Sequence, residues 1–273
     1  MTRNNSKYLI FKNGSKTYFY SSLFFPKDIK QDVFTLYAFV RTVDDLVDQI
    51  PQKKNEFYQF KQSYQSAFVG SKIENDIITD FIALIKKRKF KKEWVDDFFY
   101  AMESDLRKNP SMKTMNELRR YMYGSAEVIG LMMAQIMSLN AKAHAAAKMQ
   151  GRAMQYINFI RDIDEDRGLN RQYIPQNILE SVGLKSLKNV KEHNDAFSRL
   201  VRQEISVYKA WQAEANKGFR FIPIRYRIPV KTASRLYSWT ANEIEQNPSI
   251  VFSKKVKPSI ARIIGTLVLS VFI

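Results

Sequence analysis

The chain has 273 residues, 45% hydrophobic and 26% charged, which excludes intrinsic disorder and leaves enough apolar material for a substantial core. Its 44 Lys and Arg against 27 Asp and Glu give a net charge of +17, favouring polyanionic partners: nucleic acid, anionic lipid headgroups or phosphorylated substrates. Cysteine is absent, so disulfide scaffolds and cysteine-based zinc sites are excluded and a reducing compartment is compatible.

Apolar residues recur at spacings of three and four through most segments, the signature of helices packed on a core. The N-terminus, MTRNNSKYLIFKNGSK, lacks the apolar centre of a signal peptide. Pro26 and Asp28 precede a helical run to about Ile50, stopped by Pro51. Further runs are expected at about 53–69 (closed by Gly70), 73–88 and 92–108 (closed by Pro110). Thr114 and Glu117 form a capping box opening a run to about Leu139, and the next spans about 142–167, ending at Gly168. A short helix near 176–182 precedes long patterns at 194–216 and 230–246 and a terminal one at 257–272. The apolar end, IIGTLVLSVFI, is too short for a bilayer span, which takes about 20 residues, and reads as an amphipathic or surface-docked helix. No linker or repeat interrupts the pattern, so residues 1–273 are expected to form a single all-α domain, with a central cavity possible.

Two of these helices carry unusual charge. QDVFTLYAFVRTVDDLVD sets Tyr37, Arg41, Asp44 and Asp48 on one stripe, with Asp45 about 100° off it. QYINFIRDIDEDRG does the same for Asn158, Asp162 and Asp166, with Gln155 at the edge. Carboxylates four apart repel, and burying them without counter-charge is costly. One solution is structural: Arg41 and Arg161 form ion pairs that knit the helices. The other is a site, because hard divalent cations take oxygen ligands and Mg²⁺ is typically held by carboxylates plus substrate phosphates. A ferritin-like metal site is excluded, since neither His144 nor His193 belongs to a Glu-x-x-His pair, and both read as surface or capping residues. Phosphate-loop, dinucleotide and nucleophile-elbow motifs are also absent from the sequence.

YAFVRTVDDLVD, YMYGSAEVIGLMM and QYINFIRDIDEDRGLNRQYIP, in this order and spacing, resemble the phytoene/squalene synthase family of head-to-head prenyltransferases. The resemblance extends from about Ser15 to Pro258. It implies an all-α isoprenoid-synthase helical bundle around a central cavity and a Mg²⁺-dependent prenyltransferase activity. Two prenyl diphosphates would condense through a cyclopropylcarbinyl diphosphate, releasing diphosphate. By this resemblance Asp44, Asp48, Asp162 and Asp166 are metal and diphosphate ligands, Arg41 is a diphosphate contact, and Asp45 stands beside them. Gln155, Asn158 and Arg161 would line the substrate site. Ser15, Thr17 and Tyr18 of GSKTY resemble an N-terminal diphosphate-contacting element, with Gly14 and Tyr18 departing from its usual residues. The bland alternative for that element is a plain loop. Tyr121 and Tyr237 resemble cavity tyrosines. Gly124, Ser125, Ala126 and Gly130 would leave room for prenyl chains, although close helix packing explains them equally. Glu127 stands where many family members have Gly, and its side chain is expected to face outward.

The segment VFSKKVKPS looks most like phytoene synthases, and the lack of a nicotinamide fingerprint and of a full-length anchor points the same way. The expected activity is therefore phytoene formation from two geranylgeranyl diphosphates. The alternatives are a C30 synthase acting on farnesyl diphosphate, making dehydrosqualene or squalene, and a non-catalytic assembly or scaffold relative, which would be expected to lose motif aspartates. Nucleic acid is not an expected partner, because basic runs such as KKRKFKKE form no recognised motif. A cytoplasmic protein in peripheral contact with an anionic inner membrane face is the expected setting. The sequence does not specify an oligomeric state.

Overall fold

A computed structural model of the protein describes residues 3–107, 111–188, 190 and 195–271, so Pro110 and His193 lie outside the described residues. The chain begins with α1 (Arg3–Gly14), α2 (Lys16–Ser22) and the long α3 (Lys27–Asp48). Next come α4 (Lys54–Phe68), α5 (Asp76–Arg88), α6 (Lys92–Ser104), α7 (Met115–Met122) and α8 (Val128–Ile136). After α9 (His144–Arg161) follow α10 (Ile163–Gly168), α11 (Gln176–Ser181), α12 (Asp195–Asn216), α13 (Ile224–Gln246), α14 (Ile250–Ser253) and α15 (Ile260–Val271). Among the described residues no strand forms, and the one β pairing is an isolated parallel bridge between Ser111 and Gln172. No described helix is long and apolar enough to cross a membrane.

Helix α9 is the hub, with α7, α8, α10, α12 and α13 packed against it. Helix α3 is held on the other side by α1, α4, α5 and α6. An aromatic cluster fixes it there: Phe39 stacks on Phe81 at 3.7 Å and meets Phe99 edge-on at 5.8 Å. Such pairs add direction to apolar burial, because offset and edge-to-face geometries are preferred over others. The core thus sets the rotation of α3, and with it the face on which its acidic residues stand.

Local signals operate as the sequence suggests at several ends. Gly70 takes φ +103° after α4, a conformation that favours glycine. Thr114 Oγ1 accepts from the Glu117 N–H at 3.3 Å. The Glu117 carboxylate reaches back one residue further than a capping box, to the Lys113 N–H at 2.6 Å. Ser15, far from lying in a plain loop, is the N-cap of α2, its hydroxyl accepting from the Tyr18 N–H at 3.3 Å.

Three regions differ from the periodic reading. The run opened by Thr114 is interrupted by a π-helical turn at Tyr123–Glu127. There Gly124 lies so close to α6 that an added Cβ would come within 2.3 Å of the Asp97 carbonyl oxygen. Helix α13 begins at Ile224, before Pro229, whose missing N–H removes one ladder bond without ending the helix. The run at 142–167 breaks at Asp162, which has φ −99° and ψ 14° and joins α9 to α10. That bridge-region conformation is sparsely populated and common among active-site residues.

Helix α9 is pressed against α8 and against the π turn before it at two glycines. A Cβ on Gly130 would lie 2.2 Å from the Ala147 carbonyl oxygen, and one on Gly151 2.3 Å from that of Ala126. These atoms are backbone and cannot rotate aside. Gly151→Ala should therefore lose roughly 1–3 kcal/mol of unfolding free energy, read from the shift of a urea denaturation midpoint; an unchanged midpoint would show that α9 separates freely from the π turn.

Candidate active site

The stripe on α3 faces the α9–α10 junction. Asp44 is half-buried, and its pKa is raised well above the ordinary value, first by desolvation and then by the Asp48 charge, with Arg41 opposing. Asp166 is raised to about 8 by burial and by Asp162; Arg171 offsets part of this, while Asp48 and Asp105 add to it. The Asp48 charge contributes to raising Asp166, so the two acidic segments lie near one another.

Arg41 does not pair with the stripe residues. Its guanidinium lies 2.6 Å from Asp45, leaving Asp44 with no ion pair among the described residues. Arg161 grips the neighbouring Asp162 with two bonds, Nε to Oδ1 at 2.8 Å and Nη2 to Oδ2 at 2.6 Å. Neither arginine makes the expected pair between helices; each bonds within its own segment. They do not tie the two helices together.

The tie is Arg171, unassigned in the sequence reading. Buried behind α10, it donates from Nη1 to Asp48 Oδ1 at 2.6 Å and from Nη2 to the Val47 carbonyl at 2.5 Å. Next to it, buried Asp105 accepts from Tyr121 Oη at 2.5 Å and Tyr173 Oη at 2.9 Å. Burial pushes Asp105 up to about 6, against the lowering influence of Arg171 and the two tyrosines. Tyr121 is therefore committed to a carboxylate, and ring contacts join it to Tyr173 and Phe159. A sequence signal for Asp105 existed: Phe98, Ala101 and Met102 on α6 are buried, and Asp105 continues their register. Arg171 and Tyr173 sit in RQYIP immediately after the second acidic motif, but no spacing rule connects them to α3.

Lys255 also escaped the sequence reading. It lies 3.2 Å from Asp162 Oδ1 and pairs with Glu165, closing the outer side of the junction. A small pocket there is lined by Arg161, Glu165, Phe252 and Lys255.

The other expected residues are spread over α1, α2, α9, α13 and the π turn. Tyr18 lies 5.5 Å from the Tyr237 ring and donates to Met154 Sδ at 3.2 Å, bringing α2, α13 and α9 together. Thr17 is half-buried on α2, and its carbonyl accepts from Ser21 Oγ at 2.9 Å. Among the described residues Asn158 Oδ1 and Ser125 Oγ are buried without a partner, so each retains hydrogen-bonding capacity there. Gln155 is half-buried and only 3.5 Å from Asn158 Nδ2, a weak contact. Gly14 gives space to Tyr37, whose hydroxyl would sit 2.4 Å from a Cβ there and whose ring stacks on Phe11 at 3.9 Å. Glu127 is the correction: it is buried, not outward, and accepts from Arg152 Nε at 2.7 Å. The π turn rotates it inward, and the paired guanidinium compensates its charge.

Among the described residues no three carboxylates or imidazoles converge closely enough to chelate a metal by themselves. The chemistry of the donor set nevertheless fits a hard divalent cation. Asp44 and Asp166 are oxygen donors raised first by burial and then by a neighbouring carboxylate, which added positive charge would oppose.

An all-helical bundle with opposed aspartate pairs is the architecture of the isoprenoid synthases. The model of the squalene/phytoene synthase family matches residues 11–262, and the chain belongs to that family of prenyltransferases. The chain is 28% identical over 249 residues to the 15-cis-phytoene synthase of Pantoea ananas, covering 85% of this chain and 79% of that protein. A chloroplastic phytoene synthase from an Oncidium hybrid cultivar is 26% identical, covering 91% of this chain and 62% of the relative. A bifunctional lycopene cyclase/phytoene synthase of Pyrenophora tritici-repentis is 27% identical, and the chain spans only 43% of its length. Among solved structures, a dehydrosqualene synthase in complex with ligand superposes with a TM-score of 0.87 at 23% identity, covering 98% of this chain and 94% of that one. Squalene synthase HpnC from Alicyclobacillus acidocaldarius gives 0.77 at 22% identity, with coverage of 89% and 92%. At these identities the structural likeness concerns the fold.

Two expectations follow. A carboxyl whose pKa rises from 3.8 unfolded to about 8 folded holds its proton more tightly in the folded state. Its contribution to stability is thus lost as pH rises between those values. In chelator, the melting temperature of the protein minus that of Asp166→Asn should fall from pH 5 to pH 8; a constant difference would contradict the raised pKa. Arg171→Met removes charge-assisted bonds from the Asp48 side and should cost about 1.5–3 kcal/mol in chemical denaturation.

Proposed function

We propose that the chain joins two geranylgeranyl diphosphates head to head to form phytoene. What carries this reading is the nearness of the two acidic segments, the Asp48 charge on α3 contributing to raise Asp166 on α10. The curated relatives named as phytoene synthases support the choice of the C20 substrate.

Asp44, Asp48, Asp162 and Asp166 would hold Mg²⁺, whose chemistry when bound is to neutralise the charge that develops on a departing diphosphate. Around it the chain's own residues divide the work. Arg171 fixes Asp48 and lends positive charge to Asp105 and Asp166. Arg161, Lys255 and Arg41 stand near the acidic edge with exposed or partly exposed cationic groups able to meet phosphate oxygens. Ser15, Thr17 and Tyr18 would bring α2 to the same diphosphate, and Asp45 keeps Arg41 on the α3 surface. Tyr18, Tyr121 and Tyr237 form walls that exclude water from a carbocation, while Asn158 and Gln155 offer polar contacts within reach of the headgroup. Ionisation of one substrate releases diphosphate and gives an allylic cation; the double bond of the second attacks it, and loss of a proton closes the cyclopropane ring of the cyclopropylcarbinyl diphosphate. A second ionisation, with rearrangement and proton loss, yields the hydrocarbon and the second diphosphate. Both ends of this chemistry are lipids, which suits work at an anionic cytoplasmic membrane surface.

Incubation with geranylgeranyl or farnesyl diphosphate, with Mg²⁺ or with chelator, followed by product mass, tests the reading. A metal-dependent C40 hydrocarbon from the C20 substrate is expected; a C30 hydrocarbon from farnesyl diphosphate alone would replace the proposal. Asp44→Asn and Asp162→Asn should each reduce turnover by about 100-fold or more with unchanged far-UV circular dichroism. Undiminished activity in both would sink the assignment of these carboxylates.

A further inference from the structure

Helix α9 carries a second polar layer, away from the aspartates, that the chemistry above does not use. Residues four apart share a helix face, so Asn158, Met154 and Gln150 succeed one another down α9 from the Asp162 end. At Met154 this face looks onto α2 and α13, since the Met154 sulfur accepts from Tyr18 Oη and the Tyr18 ring lies against Tyr237.

One turn further, Gln150 meets α12. Its amide exchanges two hydrogen bonds with that of Gln212: Gln150 Nε2 donates to Gln212 Oε1 at 3.2 Å, and Gln212 Nε2 to Gln150 Oε1 at 3.1 Å. Gln212 is buried and fully engaged, its Nε2 also donating to Asn216 Oδ1 at 3.0 Å and its Oε1 also accepting from Tyr208 Oη at 3.4 Å. Asn216 Oδ1 accepts in turn from Ser234 Oγ at 3.2 Å, so α9, α12 and α13 meet in this layer. Below it the helix has no room left. Ala146, another turn on, is so close to the 3₁₀ turn Lys217–Phe221 that a Cβ on Gly218 would come within 2.4 Å of the Ala146 Cβ. The amide pair is therefore the last level on this face before the bundle closes.

Its depth can be compared with the length of a prenyl chain. Gln150 precedes Asp162 by twelve residues, about 18 Å along the helix at about 1.5 Å per residue. With C–C bonds of about 1.5 Å, a zigzag chain advances about 1.25 Å per bond, so a C20 prenyl tail reaches about 19 Å and a C15 tail about 14 Å. A C20 tail whose head lies at Asp162 ends at the amide pair, a C15 tail ends about one turn short, and a C25 tail must displace the pair. Displacement breaks both mutual hydrogen bonds and offers only hydrocarbon in exchange, which leaves buried amide groups unpaired.

We propose that the Gln150–Gln212 pair is the end stop of the space for the prenyl tail and so sets the chain length accepted. This rests on the prenyl diphosphate reading above and deepens its choice of substrate. A pair that merely clamps α9 to α12 would affect stability and leave the order of chain lengths unchanged. Binding is measured by titration calorimetry in Mg²⁺ with the unreactive thiolodiphosphate analogues of farnesyl, geranylgeranyl and geranylfarnesyl chains. The parent protein should hold the C20 analogue roughly tenfold or more tighter than the C25 analogue. Gln150→Ala and Gln150→Ser, each with unchanged circular dichroism, should bring the two analogues to within about threefold of one another. A C25-to-C20 ratio that is the same in the parent and in the folded variants would overturn the stop and leave the C20 reading standing. A parent that prefers the C15 analogue, with the C20 analogue gained in Gln150→Ala, would keep the stop and overturn the C20 reading. Failure of every analogue to bind would overturn both.

Discussion

Two aspartate pairs lie near one another, and the neighbouring structure is arranged around the cost of burying their charge. Removing an ionised carboxylate from water costs several kcal/mol after relaxation. The protein meets this in two ways. Arg171 supplies one fixed cation to Asp48, Asp105 and Asp166 together. Asp44 and Asp166 are instead raised, first by burial and then by the carboxylates beside them.

Such an arrangement survives only because the bundle around it is stiff. The Phe39–Phe81 stack fixes the rotation of α3, and close backbone contacts at Gly130 and Gly151 lock α8 and the π turn to α9. Tyr121, Tyr173 and Asp105 form a buried hydrogen-bonded group behind Asp48, so α6, α7 and the segment after α10 share one polar support. With all of its partners present, a polar group of this kind specifies geometry; with one missing, it would be among the costliest features of the core.

What was readable in the sequence follows from this division. Asp44 and Asp48 were legible because the helix repeat alone sets them on one face, and the aromatic neighbours announce which way the helix turns. Helix-end signals at Thr114 and Gly70 act within a turn and needed no tertiary knowledge. Asp162 lies on the expected face, since its N–H still bonds to Asn158 O at 2.8 Å and its carbonyl to the Asp166 N–H at 2.9 Å, but the break there was invisible. The π turn and the inward Glu127 likewise depend on Gly124 meeting α6 and on Arg152 one helix away. Arg171 reaches Asp48 across 123 residues of sequence, a partnership no periodicity encodes. Helix periodicity thus fixed the faces of the acidic residues, and tertiary contacts chose their partners.

The charge distribution joins the inner site to the outer surface. A net charge of +17 suggests at first a protein that is positive throughout, yet Asp166 is raised by burial and by neighbouring carboxylates despite Arg171. Ten of the bases lie in the two acid-free segments that supply α13, α15 and the chain between α14 and α15. Helices α2 and α13 form the wall between the two environments: Tyr18 and Tyr237 meet on its inner side, while Trp239 and Arg235 meet α15 on its outer side. A substrate with an anionic head and a long apolar tail needs both environments, a polar edge where metal and arginine receive the head and an apolar space for the tail. The two charge systems meet at one point: Lys255, from the second acid-free segment, lies 3.2 Å from Asp162 and pairs with Glu165, whereas Arg235 and Arg262 are held against α15 and α13 on the outer side.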